Sequence, residues 1–229
     1  MELILQVHEK EHILNITDAN GKILNAFTET ESSFVKIKGN TVKVDSSFFQ
    51  DTVVSDCLFN IENNKHKKLT PDKIKNNKIV LILESPHKAE YEKDTFKPLY
   101  PASGKTGERI SNYFNEIVSK VKIENNNEII ICNPVQWQSS LHELHKKCLT
   151  GEFRDLRDKV WGCLWNESYE DFYKRLKKYN HKIIINACTR KLSPEVQKAL
   201  DNNFQETTRY ITTQPSSWWS LKNRYITKV

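Results

Sequence analysis

Several absences narrow the chain before any motif is considered. Of its five cysteines, Cys57, Cys132, Cys148, Cys163 and Cys188, no two form a CxxC pair, and an odd number cannot all be bridged. No apolar run approaches the roughly 18 residues that mark a membrane span, and no secretory leader is legible. These absences lead us to expect a cytoplasmic protein with buried, reduced thiols. Acidic residues are missing beyond Glu206, where Arg209, Lys222, Arg224 and Lys228 are basic and Trp218 and Trp219 are aromatic. Such a tail suits a polyanion with faces to stack on, although a solvated basic surface explains the charge equally well. A metal site is not expected either. His142, His145 and Cys148 share a predicted helix, but a regular spacing of three drifts around it, as surface residues do.

What is present is organised around Ile79 to Lys88, IVLILESPHK, where five apolar residues run into an acid, a serine, a proline and a histidine. A short, branched, continuous apolar run is how a strand buried on both faces reads. Pro86 cannot extend a central strand and Glu84 is costly to bury unpaired, so polar groups collect at the strand's carboxyl end. Open α/β sheets bind ligands at that edge.

At 229 residues and a net charge of +6, the chain can bury a full core. Residues 1 to about 60 alternate in short runs, LILQV, HILNI, KILNAF, FVKIKG and TVKV, with turn signals at Asp18 to Gly21 and Gly39-Asn40. That pattern predicts hairpins of an antiparallel sheet. Residues 62–78 are polar, basic and interrupted by Pro71, and read as a linker. The expected division is therefore a β-rich extension with its linker, 1–75, and a main domain, 76–229. In the main domain, strands ending at Glu84, over 128–133, over 182–189 and at TRYITT alternate with helices over about 108–121, 140–149, 153–179 and 193–203, the third broken around Gly162. This alternation predicts a three-layer α/β/α fold with a central four-stranded parallel sheet. SGKTG at 103–107 ends like a phosphate-binding loop, but Leu99 stands where that motif requires glycine and no strand precedes it.

Four strand ends in order carry a family resemblance: LESPH at 83–87 with Glu90 behind it, PASGKTG at 101–107, ICNPVQ at 131–136, and IIINACT followed later by Gln214-Pro215-Ser216. Over about Lys78 to Ser220 the chain resembles the uracil-DNA glycosylase superfamily, most closely its iron-sulfur branch. It departs from that branch in lacking the cluster cysteines, with Gln136 where one would follow the second motif, so neither the cluster nor any other cofactor is expected. Gln214 replaces a histidine and cannot become a cation. Leu83 and His87 replace glycines, which alters the base pocket.

The resemblance implies a monofunctional glycosylase that flips a modified pyrimidine out of DNA and hydrolyses its glycosidic bond, acting as a monomer. The altered pocket points to a hypermodified base, for example a glucosylated cytosine of phage DNA, with uracil excision as the alternative. Bond breaking leaves an oxocarbenium-like sugar and an anionic base, so the site needs an acid, a placed water and donors. Glu84 or Glu90 would hold the water, with Asp94 as rival, and Asn133 would bind the pyrimidine edge. Gln214 would donate to a base carbonyl and Tyr100 would lie under the ring. Ser85, Pro86 and His87 line the first loop, Ser216 would hold phosphate, and Trp218, Trp219 or Leu221 would wedge into the stack. A DNA-binding module without catalysis and a hydrolase of free nucleosides are the other two readings.

Overall fold

A computed structural model describes residues 1–7, 9–29, 35–44, 53–62, 65–68, 78–93, 95–123, 128–141, 151–179 and 181–229. The chain is mixed α/β, with two mixed sheets and, among the described residues, four α-helices. The strands are β1 (Glu2–Val7), β2 (Lys10–Asn15), β3 (Val35–Lys38), β4 (Thr41–Val44), β5 (Cys57–Glu62), β6 (Lys65–Lys68), β7 (Lys78–Ile82), β8 (Glu128–Cys132), β9 (His181–Asn186), β10 (Thr208–Thr212) and β11 (Ile226–Lys228). The helices are α1 (Lys22–Thr28), α2 (Lys105–Ser119), α3 (Glu152–Lys178) and α4 (Ser193–Asn203). No helix among the described residues is long and apolar enough to cross a membrane.

The larger sheet runs β11-β10-β9-β7-β8-β5-β6. Its neighbours β10, β9, β7 and β8 are mutually parallel, whereas β11, β5 and β6 pair antiparallel at the two sides. The expected four-stranded parallel sheet is thus corrected to a seven-stranded mixed one. Part of the expected linker, Lys65–Lys68, is strand β6, because β5 offers it an edge to pair with. Of the helix expected over 140–149, residues 142–149, with His142, His145 and Cys148, lie outside the described residues, as does Asp94.

Burial follows the pleat. In β7, Val80 and Ile82 face one apolar cluster while Ile79 and Leu81 face the other. In β8 the same alternation puts Ile130 and Cys132 on the first side and Ile129 and Ile131 on the second. Period-two alternation with both faces apolar is what makes these runs read as continuous. One face packs on Ile110, Phe114, Ile117 and Val118, the apolar stripe of α2, and on Trp218. The other face packs on Leu156, Val160, Trp161, Leu164 and Trp165 of α3 and on α4. Trp161 and Trp165 stack with centroids 5.5 Å apart and planes 15° from parallel. Helix α3 runs unbroken through Gly162, since packing of the turns on either side outweighs the local cost of one glycine.

The first sixty residues differ from the all-hairpin expectation. β1 pairs antiparallel with β2 and β3 with β4, but β1 and β4 are parallel neighbours. The run KILNAF is helix α1, not a strand, and it supplies the crossover that a parallel pair needs. Asp18 explains the switch: its two carboxylate oxygens accept from the Ile23 and Leu24 amides at 3.0 and 2.9 Å. This satisfies donors that a helix start leaves open. Leu3, Leu5, Val7, Val42, Val44, Ile23 and Phe27 join the same apolar cluster as α3.

Candidate functional site at the carboxyl strand edge

The parallel strands end level. Ile82 of β7 lies opposite Cys132 of β8 and Asn186 of β9. The ladder extends one step further, the Leu83 amide donating to the Cys132 carbonyl at 2.9 Å and the Ala187 amide to the Ile82 carbonyl at 2.8 Å. Glu84, Asn133 and Cys188-Thr189 therefore leave neighbouring strands at one edge.

Glu84 is buried. Its Oε1 accepts from Arg157 Nη1 at 2.8 Å, and its backbone carbonyl accepts from the Trp161 indole at 3.0 Å. Oε2 has no hydrogen-bond partner among the described residues. Burial pushes the Glu84 carboxyl above its ordinary range, against the pull of Arg157 and the nearby Thr189.

Asn133 is 1% exposed, yet neither Oδ1 nor Nδ2 has a partner among the described residues. Its backbone, by contrast, is fixed at both ends. The amide donates to Asp56 Oδ1 at 3.3 Å and the carbonyl accepts from Arg175 Nη2 at 3.1 Å. Asp56 also receives Gln136 Nε2 at 3.3 Å, the Tyr179 hydroxyl at 2.6 Å, the Cys132 thiol at 3.3 Å and the Arg175 guanidinium. Burial and the Asp56 charge hold the Cys132 thiol well above its ordinary value. So the segment before β5, the end of β8 and the last turn of α3 are tied together beneath Asn133.

Glu90 is buried as well. Oε1 accepts from the Ala102 amide at 2.9 Å, while Oε2 has no partner among the described residues. Burial pushes its pKa up to about 8, the Ala102 and His87 backbone offsetting only part of that shift. Glu90 is thus a neutral acid near pH 7, and it pins the turn in which Ala102 adopts a left-handed φ of 58°. The Ser103 hydroxyl adds a bond to the Ala89 carbonyl at 2.6 Å.

Two contacts join the loop after β7 to the loop after β8. The Ser85 and Ser139 hydroxyls are 2.7 Å apart, and the Tyr91 phenol lies against the Gln138 backbone. Next to Ser139, Gln138 is 1% exposed with Oε1 unpartnered among the described residues. Glu84, Glu90, Asn133 and Gln138 therefore share a property that buried polar groups seldom have: an unused hydrogen-bonding atom. Such an atom costs on the order of 1–3 kcal/mol unless something fills it.

The remaining expected site residues are more dispersed. Pro86 is buried; His87 is exposed and its Nδ1 accepts from the Ala89 amide at 3.2 Å, capping the short turn Lys88–Glu90. Tyr100 is half-buried with its ring tilted against Phe59, centroids 5.9 Å apart. Gln214 is half-buried just past β10, its carbonyl accepting from the Ser217 amide and hydroxyl, and Ser216 is exposed. Trp218 is not a wedge: it is fully buried against α2, its indole donating to the Thr213 carbonyl at 2.9 Å. Exposed instead are Trp219 at 63% and Leu221 at 75%. Arg224 is also tied down, pairing with Glu116 at 2.8 Å and lying 3.8 Å over the Tyr113 ring. The SGKTG segment caps α2 with Gly104 as its last extended residue.

Arg157, Asp56, Arg175 and Gln138 did not emerge from sequence reasoning. For Arg157 a signal existed: Arg157-Asp158 interrupts the apolar stripe of Leu156, Val160 and Trp161, where a charge is affordable only if paired. Among the described residues no group of three or more His, Cys, Asp or Glu stands close enough to hold a metal ion. Compared with protein-family models, curated proteins and solved structures, the chain matches none.

Proposed function

We propose that the chain is a monofunctional DNA glycosylase, built on a uracil-DNA glycosylase-like parallel core, that hydrolyses the bond between a flipped modified pyrimidine and its sugar. The observation that carries this reading is the pair of buried, unused polar groups at adjacent strand ends, Glu84 Oε2 and the Asn133 amide. An acid and an amide held rigid with free valences suit a reaction that generates positive charge on a sugar and negative charge on a base. In that reaction Glu84 Oε2 takes a proton from water as the water oxygen bonds to C1′. The C1′–N bond breaks and its electron pair leaves with the base. The Asn133 amide and the neutral Glu90 acid supply hydrogen bonds to the departing ring, and Gln138 supplies an acceptor to an amino group on it. The product is an abasic site.

Support for DNA as the substrate comes from the exposed Trp219 and Leu221 beside Lys222, an apolar tip on a basic segment. The departures from the uracil-specific pattern at Leu83, His87 and Gln214 favour a hypermodified cytosine over uracil. The decisive assay offers duplexes containing uracil, hydroxymethylcytosine or its glucosylated form, followed by alkaline cleavage. Cleavage of a modified-cytosine strand is expected; cleavage of the uracil strand alone would transfer the reading to uracil repair.

A DNA-binding module without catalysis is favoured by one observation, the Glu84–Arg157 ion pair, which by itself is also how a structural acid is held. That reading predicts steeply salt-dependent binding and no abasic product from any of the three duplexes.

A further inference from the structure

We propose that Arg157 is a positioning residue for Glu84: its guanidinium fixes Oε1, keeps the carboxylate ionised, and leaves Oε2 as the free oxygen at the strand edge. The inference rests on the glycosylase reading for the identity of the reaction, but not for the charge and orientation of Glu84.

Arg157 lies in the second turn of α3, and its side chain and that of Glu84 are only 9% and 7% exposed. A guanidinium presents a flat fork, and a purely structural pair with a carboxylate is normally two-pronged. Here the fork is divided. Nη1 takes Glu84 Oε1 at 2.8 Å, while Nε and Nη2 take Asp158 Oδ1 at 2.7 and 2.5 Å. The division is what leaves Glu84 Oε2 without a partner among the described residues. Asp158 is in turn paired with Lys191, in the turn before α4, at 2.8 Å. Two carboxylates and two cations thus balance, with Lys191 the exposed member.

The other groups facing Glu84 come from the segment after β9. Thr189 eases the charge, and the Cys188 thiol, which donates to the Leu83 carbonyl, is itself held protonated by burial and by the Glu84 charge. The Trp161 indole fixes the Glu84 backbone, so the carboxyl has little freedom beyond the direction Arg157 gives it. An arginine does not surrender its proton, so Arg157 sets a permanent positive charge beside Glu84 Oε1 even though it also pairs with Asp158. Burial raises the Glu84 pKa and Arg157 opposes that rise, and an acid already carrying a proton cannot accept one from water.

The test is a carbon-13 NMR titration of the full chain labelled at glutamate carboxyls, with the Glu84 signal assigned by its loss in Glu84→Gln. In the wild type Glu84 is expected to be ionised at pH 7. Arg157→Met should raise its midpoint by about one pH unit or more. If that variant fails to fold, Arg157→Met combined with Asp158→Asn is compared with Asp158→Asn alone, because the Asp158 charge itself raises the Glu84 pKa; against that reference the midpoint should again rise. Arg157→Lys keeps the charge but loses the fork; its midpoint should stay near the wild-type value while base release falls ~10–100-fold. A neutral Glu84 in the wild type at pH 7, or an unmoved midpoint in the neutralised variants, overturns the inference whatever the activity. The acid limb of the rate profile should move with the same midpoint. Absence of abasic product from every duplex would sink the glycosylase reading instead, and the titration would still decide the role of Arg157.

Discussion

Two buried polar clusters meet at Asn133 and differ in one respect. Around Asp56 the valences close: Arg175, Tyr179, Gln136, the Cys132 thiol and the Asn133 amide all converge on one carboxylate. Along the carboxyl strand edge and its loops they do not, and Glu84, Glu90, Asn133 and Gln138 each keep an atom unused among the described residues. Asn133 joins the closed cluster through its backbone, while its side chain is among those left unused. A closed network contributes rigidity and an open one leaves something to bind, so the first behaves as the foundation of the second.

Breaking the closed cluster should have the largest effect. Asp56→Asn removes the buried carboxylate of Arg175 and leaves it only the exposed Asp171, which should cost up to about 3–5 kcal/mol, read as a lowered urea midpoint at unchanged slope. A loss below about 1 kcal/mol would mean that the cluster is an ordinary surface-like pair. The matching change in the open cluster, Asn133→Ala, removes no hydrogen bond among the described residues. Its stability should stay within about 1 kcal/mol of wild type, while base release falls by ~100–1,000-fold. If instead Asn133→Ala unfolds the chain, the contrast between the two clusters disappears.

Much of the open cluster was legible because it is local. A branched apolar run that stops in an acid or an amide announces a buried strand end, and Glu84 and Asn133 sit where those runs stop. The closed cluster was not legible, because Asp56 and Arg175 are 119 residues apart, and neither was the Arg157 partner of Glu84, 73 residues away. Partners at such separations are chosen by the assembled sheet and leave no mark on neighbouring residues. The first sixty residues failed for a different reason: KILNAF alternates well enough for a strand, and only the Asp18 carboxylate capping two amides makes it a helix. Trp218 was misplaced because a tryptophan in a basic tail has no local feature distinguishing core from wedge; its fate depends on α2 lying beneath it.

Glu90 offers a smaller, pH-dependent test of openness. Its folded pKa of about 8 lies above the ordinary 4.5, so across that window the unfolded chain releases a proton that the folded chain retains. Stability from this group is therefore greatest below the lower value and falls as pH rises, by up to about 1.4 kcal/mol per pH unit, flattening above the upper one. Glu90→Gln keeps the acceptor for the Ala102 amide and should abolish that slope in urea titrations from pH 5 to pH 8. A variant that loses stability equally at every pH would show that the Glu90 charge, not its neutral form, holds the turn.

Two glycines give the finest comparison, one in each region's scaffold. A Cβ at Gly162, inside α3 between Arg157 and Arg175, would meet nothing within 4 Å. Gly162→Ala should therefore stabilise the chain by about 0.5–1 kcal/mol, because only the entropy of the unfolded state changes. A Cβ at Gly104 would come within 2.7 Å of the Ala89 Cβ, closer than carbon atoms tolerate. Gly104→Ala must push the Lys88–Glu90 turn away from α2, at a cost of about 1–3 kcal/mol, and should weaken base release by displacing Glu90. Pairing it with Ala89→Gly removes the obstructing atom. Recovery of base release in that double variant locates the effect in the contact between the two turns, whereas continued loss would place it in the backbone of Gly104 itself.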